Sequence, residues 1–386
     1  MTTELSPLGT RCNLKCIYCY QSGMHETEAD YDLDKMISLG IVQGSRLCVF
    51  GGEPLLLPLA HLERIFKASY EKYGGASIQT NGLLIFRDHI KLFQKYRIGV
   101  GVSIDGSQEL NAFRCNEEKT SKIIAHIEEL TRSGVSVSLI ITIHRMNGSK
   151  KYLDRLLNFC SWAESIGVQW INFHFLQVIS AEVRNRCALS AEENKVAFLR
   201  LAEFSDKTFR LQCQPFVDIK RLLSGDRKNV LCVWNSCDPF KTSAVFGIQA
   251  DGQVKNCHRV SRIYESIKCS ISGHERQDSL RQSPQDKGGC FECRFFPLCG
   301  GGCPGEAIDA DWRNKTEYCE TIKALFRYYE DIMLNQGKIP ASIKIPAHSN
   351  NKIAATCDLH GDSKHGDTPH GDQHGDHWDN VERRAN

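Results

Sequence analysis

The sequence predicts an α/β protein made of a partial (β/α)6 barrel, a small cysteine-rich domain and a polar tail. Three observations carry this. Short β-type runs alternate with helical stretches from residue 45 to 177, a C-x3-C-x2-C triplet lies just behind a short N-terminal strand, and eight more cysteines, besides Cys269, crowd between Cys232 and Cys319. With 386 residues, 41% hydrophobic and 24% charged, the chain can bury a large core and is long enough for that core to divide.

The elements follow in order. A first strand precedes Cys12, and a helix around 33–41 follows the cysteine loop. Then come RLCVF (46–50), an amphipathic helix over 61–73, ASIQT (76–80), a helix over 88–96, IGVGVSI (98–104), a helix over 119–133, VSVSLIITI (135–143), a helix over 153–166 and VQWINFHFL (168–176). Strands rich in Val and Ile that alternate with helices imply a parallel sheet. Six such units make an incomplete barrel rather than a closed one of eight. Active groups are then expected on the loops after the strands, and Cys12, Cys16 and Cys19 occupy the first of these. Residues 1–225 form the expected barrel domain, ending in a mostly helical stretch over 191–223. Residues 226–337 form the cysteine- and glycine-rich domain, closed by a helix over 317–334. Residues 338–386, where His-Gly-Asp recurs at 360, 365, 370 and 374, are too polar to bury a core and are expected to be disordered.

A net charge of +2 gives no electrostatic case for nucleic acid or an anionic membrane as a bulk partner. No apolar run approaches the roughly 20 residues that span a bilayer, and the N-terminus lacks the pattern of a secretory signal. A cytoplasmic enzyme is expected. In a long chain with no export signal, 18 cysteines point to metal or catalysis rather than disulfides. At that cysteine frequency, C-x3-C-x2-C arises by chance in about one sequence in twenty-five. The second pattern, C-x2-C-x5-C-x3-C at Cys290, Cys293, Cys299 and Cys303, arises in about one in six hundred. Cys48 and Cys160 fit buried packing positions.

A [4Fe-4S] cube needs four ligands. The first loop offers three and leaves one iron open. With Tyr18 beside its last cysteine, this loop resembles that of the radical S-adenosylmethionine (SAM) superfamily. The resemblance implies that the open iron binds SAM, which is cleaved to a 5'-deoxyadenosyl radical. Gly51-Gly52-Glu53-Pro54, Gln79-Thr80-Asn81-Gly82 and Ser103-Ile104-Asp105-Gly106 resemble family segments bordering the SAM pocket. By that resemblance Gly51, Gly52 and Glu53 meet the SAM ammonium, Asn81, Ser103 and Asp105 are polar contacts, and Arg114 and Lys122 are candidate partners for its carboxylate.

The second region resembles the SPASM domain, whose pattern is met by Cys237, Gly252 with Cys257, Cys290 to Cys303, and Cys319. The resemblance implies two auxiliary [4Fe-4S] clusters, one on Cys232, Cys237, Cys257 and Cys303, the other on Cys290, Cys293, Cys299 and Cys319, making three clusters in all. Two zinc sites are the alternative use of eight such thiols, and a carrier without SAM chemistry is the alternative class.

A SPASM domain implies an oxidoreductase acting on a ribosomal peptide or protein, with an electron donor such as flavodoxin or ferredoxin. Sulfatase maturases carry an aspartate after the cysteine of the G-x4-C element, whereas this chain has His258-Arg259. Ile143-His144-Arg145, Cys257-His258-Arg259 and CGGGCP look more like maturases that crosslink ribosomal peptides, with His258 as a catalytic candidate. His144 and His258 are equally readable as polar loop residues. With 11 residues ahead of Cys12, no separate leader-recognition domain is expected. Each tail repeat places a ring two positions before Asp, and Trp378-Asp379-Asn380 places an indole two before Asn. These triplets resemble the cores of three-residue cyclophane peptides, which makes the tail a candidate substrate beside a precursor peptide. A solvated linker or a histidine-rich metal tract is its other reading.

Overall fold

The computed structural model describes residues 2–24, 30–208, 210–235, 237–239, 245–255, 257–260 and 276–338. The His-Gly-Asp tail, Cys269 and Cys357 lie outside them. The sheet has strands β1 (Thr2–Ser6), β2 (Leu47–Val49), β3 (Ala76–Thr80), β4 (Ile98–Ser103), β5 (Val137–Ile143), β6 (Trp170–Phe175), β7 (Gln212–Gln214), β8 (Val245–Gln249) and β9 (Val254–Lys255). Their order across the sheet is β7-β6-β5-β4-β3-β2-β1-β8-β9, parallel throughout except for the β8–β9 hairpin. It does not close on itself. The six expected barrel strands are all present, ASIQT with the limits read from sequence.

The alternation within strands sets up the site. In β4, Ile98, Val100 and Val102 are buried while Ser103 lines a cavity at the strand ends; in β6, Asn172 and His174 take the same cavity-facing side. Helices α1 (Leu33–Val42), α2 (Leu59–Tyr73), α3 (Arg87–Lys95) and α4 (Glu117–Arg132) occur where the 3.6-residue period places them. In α2, Leu62, Ile65, Phe66 and Ser69 form the buried stripe. The helix stops at Gly74, whose φ of 72° is left-handed and whose N–H bonds Tyr70 O at 2.8 Å.

Two features depart from expectation. The helical stretch 191–223 is broken by β7, an edge strand of three residues, too short to show a period. The second is β8, which belongs to the cysteine-rich region yet pairs in parallel along the whole of β1, from Thr2↔Val245 to Ser6↔Gln249. The described residues through Lys338 fall in one compact unit. The helix Cys319–Asn335 packs on residues 191–205 and 216–223, where Tyr318 stacks on Phe175 at 4.6 Å and its hydroxyl donates to Leu176 O at 2.5 Å. Among the described residues no helix is long and apolar enough to cross a membrane.

A thiol-lined cavity at the mouth of the barrel

The loop after β1 is strapped on three sides. Gly52 N donates to Gly9 O at 2.9 Å, Glu53 N to Arg11 O at 2.8 Å, and Ile17 N to Phe113 O at 2.8 Å. The two glycines are required by this loop-to-loop approach. Gly51 has a φ of 127°, and a Cβ on Gly52 would lie 2.0 Å from Arg11 O. Gly52→Ala is therefore expected to push the cysteine loop aside, costing about 1–3 kcal/mol and lowering iron uptake at Cys12, Cys16 and Cys19. Iron per chain and the denaturation midpoint measure both effects.

Cys12 Sγ accepts from Leu14 N at 3.4 Å and faces the Asn81 amide at 3.7 Å. Asn81 Nδ2 also donates to Asn13 Oδ1 at 2.7 Å, fastening the end of β3 to the loop. Burial pushes the Cys12 thiol up, with these donors pulling the other way. Burial takes Cys16 to about 12 against the opposing charge of Arg114. Metal binding here must expel protons, as thiolate coordination requires.

Three expected contacts are not on the cavity wall: Glu53 and Asp105 stand behind it, and Lys122 faces outward. Glu53 is fully buried. Its Oε1 accepts from Leu55 N (3.0 Å) and Thr80 Oγ1 (2.6 Å), and its Oε2 accepts from Asn81 N (2.7 Å). The carboxylate thus braces the ends of β2 and β3, and burial raises its pKa. Lys122 is on the exposed face of α4. Asp105 is fully buried at the centre of a network. Oδ1 accepts from Thr142 N at 3.0 Å, and Oδ2 meets the Tyr18 hydroxyl, His144 Nε2 at 3.1 Å and Arg114 Nε at 2.9 Å. Arg114 lies 5.4 Å over the Tyr18 ring. His144 Nδ1 takes the Met146 N–H, which leaves Nε2 to carry the proton it gives Asp105. Burial alone would raise the Asp105 pKa, but Arg114 and then His144 outweigh it and hold it at about 2. Since Tyr18 lies between Cys16 and Cys19, this hub fixes the cysteine loop to the ends of β4 and β5.

The cavity has a volume of about 960 Å³. Gly51, Gly52, Asn81, Ser103 and Arg114 are on its wall, with Cys12, Cys16 and Cys19 and, opposite in sequence, Cys232, Cys237, Cys257 and Cys303. The other four cysteines, Cys290, Cys293, Cys299 and Cys319, surround a separate cavity of about 10 Å³. Four buried polar atoms of the large wall lack hydrogen-bond partners among the described residues: Thr10 Oγ1, Arg114 Nε, Asn172 Oδ1 and Gln177 Oε1. Arg114 Nε is close to Asp105 but not aimed at it. Such orphaned groups fit a polar ligand.

A sequence model of the Radical SAM superfamily matches residues 6–157. The chain carries a radical SAM domain. The match spans the cysteine loop, Gly51-Gly52-Glu53, Asn81, Ser103 and the Asp105 hub. A cysteine-type anaerobic sulfatase-maturating enzyme of Clostridium novyi (strain NT) is 24% identical over 368 residues, 83% of this chain and 93% of its own. A serine-type enzyme of that description from Klebsiella aerogenes is 24% identical over 363 residues, 85% and 84% of the two chains. Among solved structures, anSMEcpe with bound AdoMet and the Kp18Cys peptide matches with a TM-score of 0.67 at 19% identity, over 87% of this chain and 98% of that one. Streptococcus suis SuiB bound to S-adenosylmethionine matches at 0.57 with 12% identity, over 82% and 76%. These likenesses are of fold. A radical SAM domain takes a [4Fe-4S] cluster and SAM, and three thiols beside the orphaned polar atoms suit that pair in donor chemistry.

The radical SAM cavity also holds His174, which sequence reasoning passed over, beside His258 and Arg259, which it singled out. His174 is kept neutral, its pKa lowered to about 3 by burial and then by Arg259 and Arg114. Arg259 pairs with Glu306 at 2.5 Å. His258 is on the wall against Phe50, ring centroids 5.0 Å apart, with Nδ1 3.0 Å from Glu4 Oε2 and Nε2 2.7 Å from the Gln249 amide nitrogen. The polar, cavity-facing alternation of β6 was the signal available for Asn172 and His174.

Proposed function

We propose that the chain is a radical SAM/SPASM peptide maturase that removes hydrogen from a peptide side chain and forms a crosslink. The observation that carries this reading is one cavity walled by the three-cysteine loop and by four cysteines of the C-terminal region, with room for a peptide segment. In this reading Cys12, Cys16 and Cys19 hold the SAM cluster. Cys232, Cys237, Cys257 and Cys303 hold one auxiliary cluster, and Cys290, Cys293, Cys299 and Cys319 the other. Among the described residues no three His, Cys, Asp or Glu side chains converge on a single-ion site. Zinc is the alternative use of such thiols, and the three-cysteine loop on the same wall favours iron.

When bound, the cluster and SAM supply a 5'-deoxyadenosyl radical able to take hydrogen from an unactivated carbon. The chain's own residues surround that event. Ser103 and Arg114 offer polar contacts to SAM, and the apolar side chains Leu14, Phe173 and Phe175 exclude water. His258 is the proposed base. Glu4, an acceptor only, requires the proton on Nδ1, so the basic lone pair is on Nε2, where Gln249 donates until a substrate displaces it. Each crosslink costs the peptide two hydrogens, one as an atom to 5'-deoxyadenosine and one as a proton and an electron. The electron that a flavodoxin or ferredoxin donates at the start of turnover is thereby regained.

The substrate proposed is the chain's own tail, joined from ring carbon to the β-carbon of Asp or Asn at its ring-x-Asp/Asn triplets. A tethered substrate has a high effective concentration. Tandem mass spectrometry of the tail after turnover with SAM and reductant is expected to show a loss of about 2 Da per modified triplet, from two departing hydrogens. His258→Ala should keep SAM cleavage while abolishing that loss. An unchanged tail, with a separate precursor peptide modified instead, assigns the tail to a linker or metal tract. The similarity to sulfatase-maturating enzymes over more than four-fifths of the chain favours a second reading, formylglycine formation on a Cys or Ser peptide. An aldehyde trapped by hydrazine in that same assay would establish it.

A further inference from the structure

Arg276 is completely buried, one of the largest side chains in the protein with no solvent contact. Among the described residues its guanidinium donates to backbone carbonyls alone: Nε to Trp312 O at 2.7 Å, Nη1 to Cys237 O at 3.0 Å and Gly300 O at 3.5 Å, Nη2 to Gly301 O at 3.2 Å and Asn314 O at 3.0 Å. Asp238 accepts from the backbone N–H of Arg276, at 3.1 Å, and not from the guanidinium. Among the described residues no carboxylate pairs with this cation. A buried charge without a counter-charge is strongly unfavourable, and hydrogen bonds to neutral carbonyls relieve only part of the cost. The residues whose negative charge would favour it are Cys237 and Cys303 of one thiol set and Cys290 and Cys299 of the other.

The geometry explains this double neighbourhood. The Cys237 carbonyl belongs to the first set, while Gly300 and Gly301 lie on the link between Cys299 of the second set and Cys303 of the first. Each set also has cations of its own. Arg259 acts on Cys303 and Cys257, Lys315 acts on Cys290 and Cys319, and Lys323 acts on Cys319 and Cys293. Among the described residues Arg276 is the cation common to both. We propose that Arg276 is a shared counter-charge between the two thiolate sets, a positioning residue that holds them together and sets the reduction potentials of both clusters. The proposal rests on the cluster assignment above. A cation beside an iron-sulfur centre favours its more negative, reduced form, so removing the charge must lower both potentials.

The test is a redox titration followed by electron paramagnetic resonance on the anaerobically reconstituted full-length chain. Carrying Cys12, Cys16 and Cys19→Ala isolates the auxiliary signals. Against that parent, Arg276→Gln is expected to shift both potentials to more negative values, and Arg276→Lys, which keeps the charge, to remain closer to the parent. If Arg276→Gln cannot retain iron, Arg276→Lys must retain more of it than Gln does. Unmoved potentials, a shift in only one cluster, or equal iron loss in the Gln and Lys variants overturns the shared counter-charge. A parent holding no iron overturns the cluster assignment and this inference with it; a parent with about eight irons and unmoved potentials overturns this inference alone.

Discussion

Replacing Cys12, Cys16 and Cys19 together by alanine is expected to remove about four of about twelve irons per chain and to abolish 5'-deoxyadenosine formation, because only this set leaves an iron free for SAM. The remaining thiols are distributed so that the loss stays local. Cys290, Cys293, Cys299 and Cys319 surround their own cavity, and Cys232, Cys237, Cys257 and Cys303 come from chain segments remote from the loop in sequence. Iron and sulfide analysis measures the first effect and chromatography of the SAM products the second. Zinc in place of iron after anaerobic purification would sink the assignment for all three sets.

Asp105→Ala is expected to destabilise the fold by about 3–5 kcal/mol, the range for removing one partner of a buried ion pair, and to lower occupancy of the first cluster. The Tyr18 hydroxyl and His144 lose their acceptor and Arg114 its ion-pair partner at once, and Tyr18 is part of the cysteine loop. Denaturant titration of the variant, with iron analysis, measures both, and stability equal to wild type would show that the network is dispensable. A pH dependence follows. The folded pKa, about 2, lies below the ordinary value near 3.9, so the unfolded chain binds more protons between these limits. The carboxylate's contribution is complete above about pH 4 and lost as pH falls through about 2. At 1.36 kcal/mol per unit it amounts to roughly 2.5 kcal/mol. Asp105→Asn should flatten this part of the acid limb.

The barrel was legible because its strands are apolar runs separated by amphipathic helices, two signals that reinforce one another. Leu62, Ile65, Phe66 and Ser69 declare α2 by spacing alone. The cysteines were legible because their spacing is improbable by chance, and the partition into sets of three, four and four is compatible with the two cavities they line. Polar residues were harder. Asp105 and Glu53 stand in segments that border the cavity, yet each turns inward, since a carboxylate surrounded by backbone N–H groups and a guanidinium serves as a brace. Nothing in a linear sequence distinguishes a bracing carboxylate from a ligand-binding one. Lys122 is set by its helical position on an outward face. His174 and the Glu4–His258 pair escaped notice because the partners are distant in sequence, 254 positions apart for the latter. β8 was assigned to a separate domain because its neighbours are rich in cysteine and glycine, which obscures pairing with the first strand.

That pairing constrains how the protein is made. β1 is synthesised before β8, so one of its two edges has no partner until β8 is made, some 240 residues later. At about 5–20 residues per second this is an interval of roughly ten to fifty seconds. Throughout it the cysteine loop is anchored to a strand whose outer edge is open. The order of synthesis therefore leaves β1 with one unpaired edge, a row of free N–H and C=O groups open to other strands, until β8 has been made.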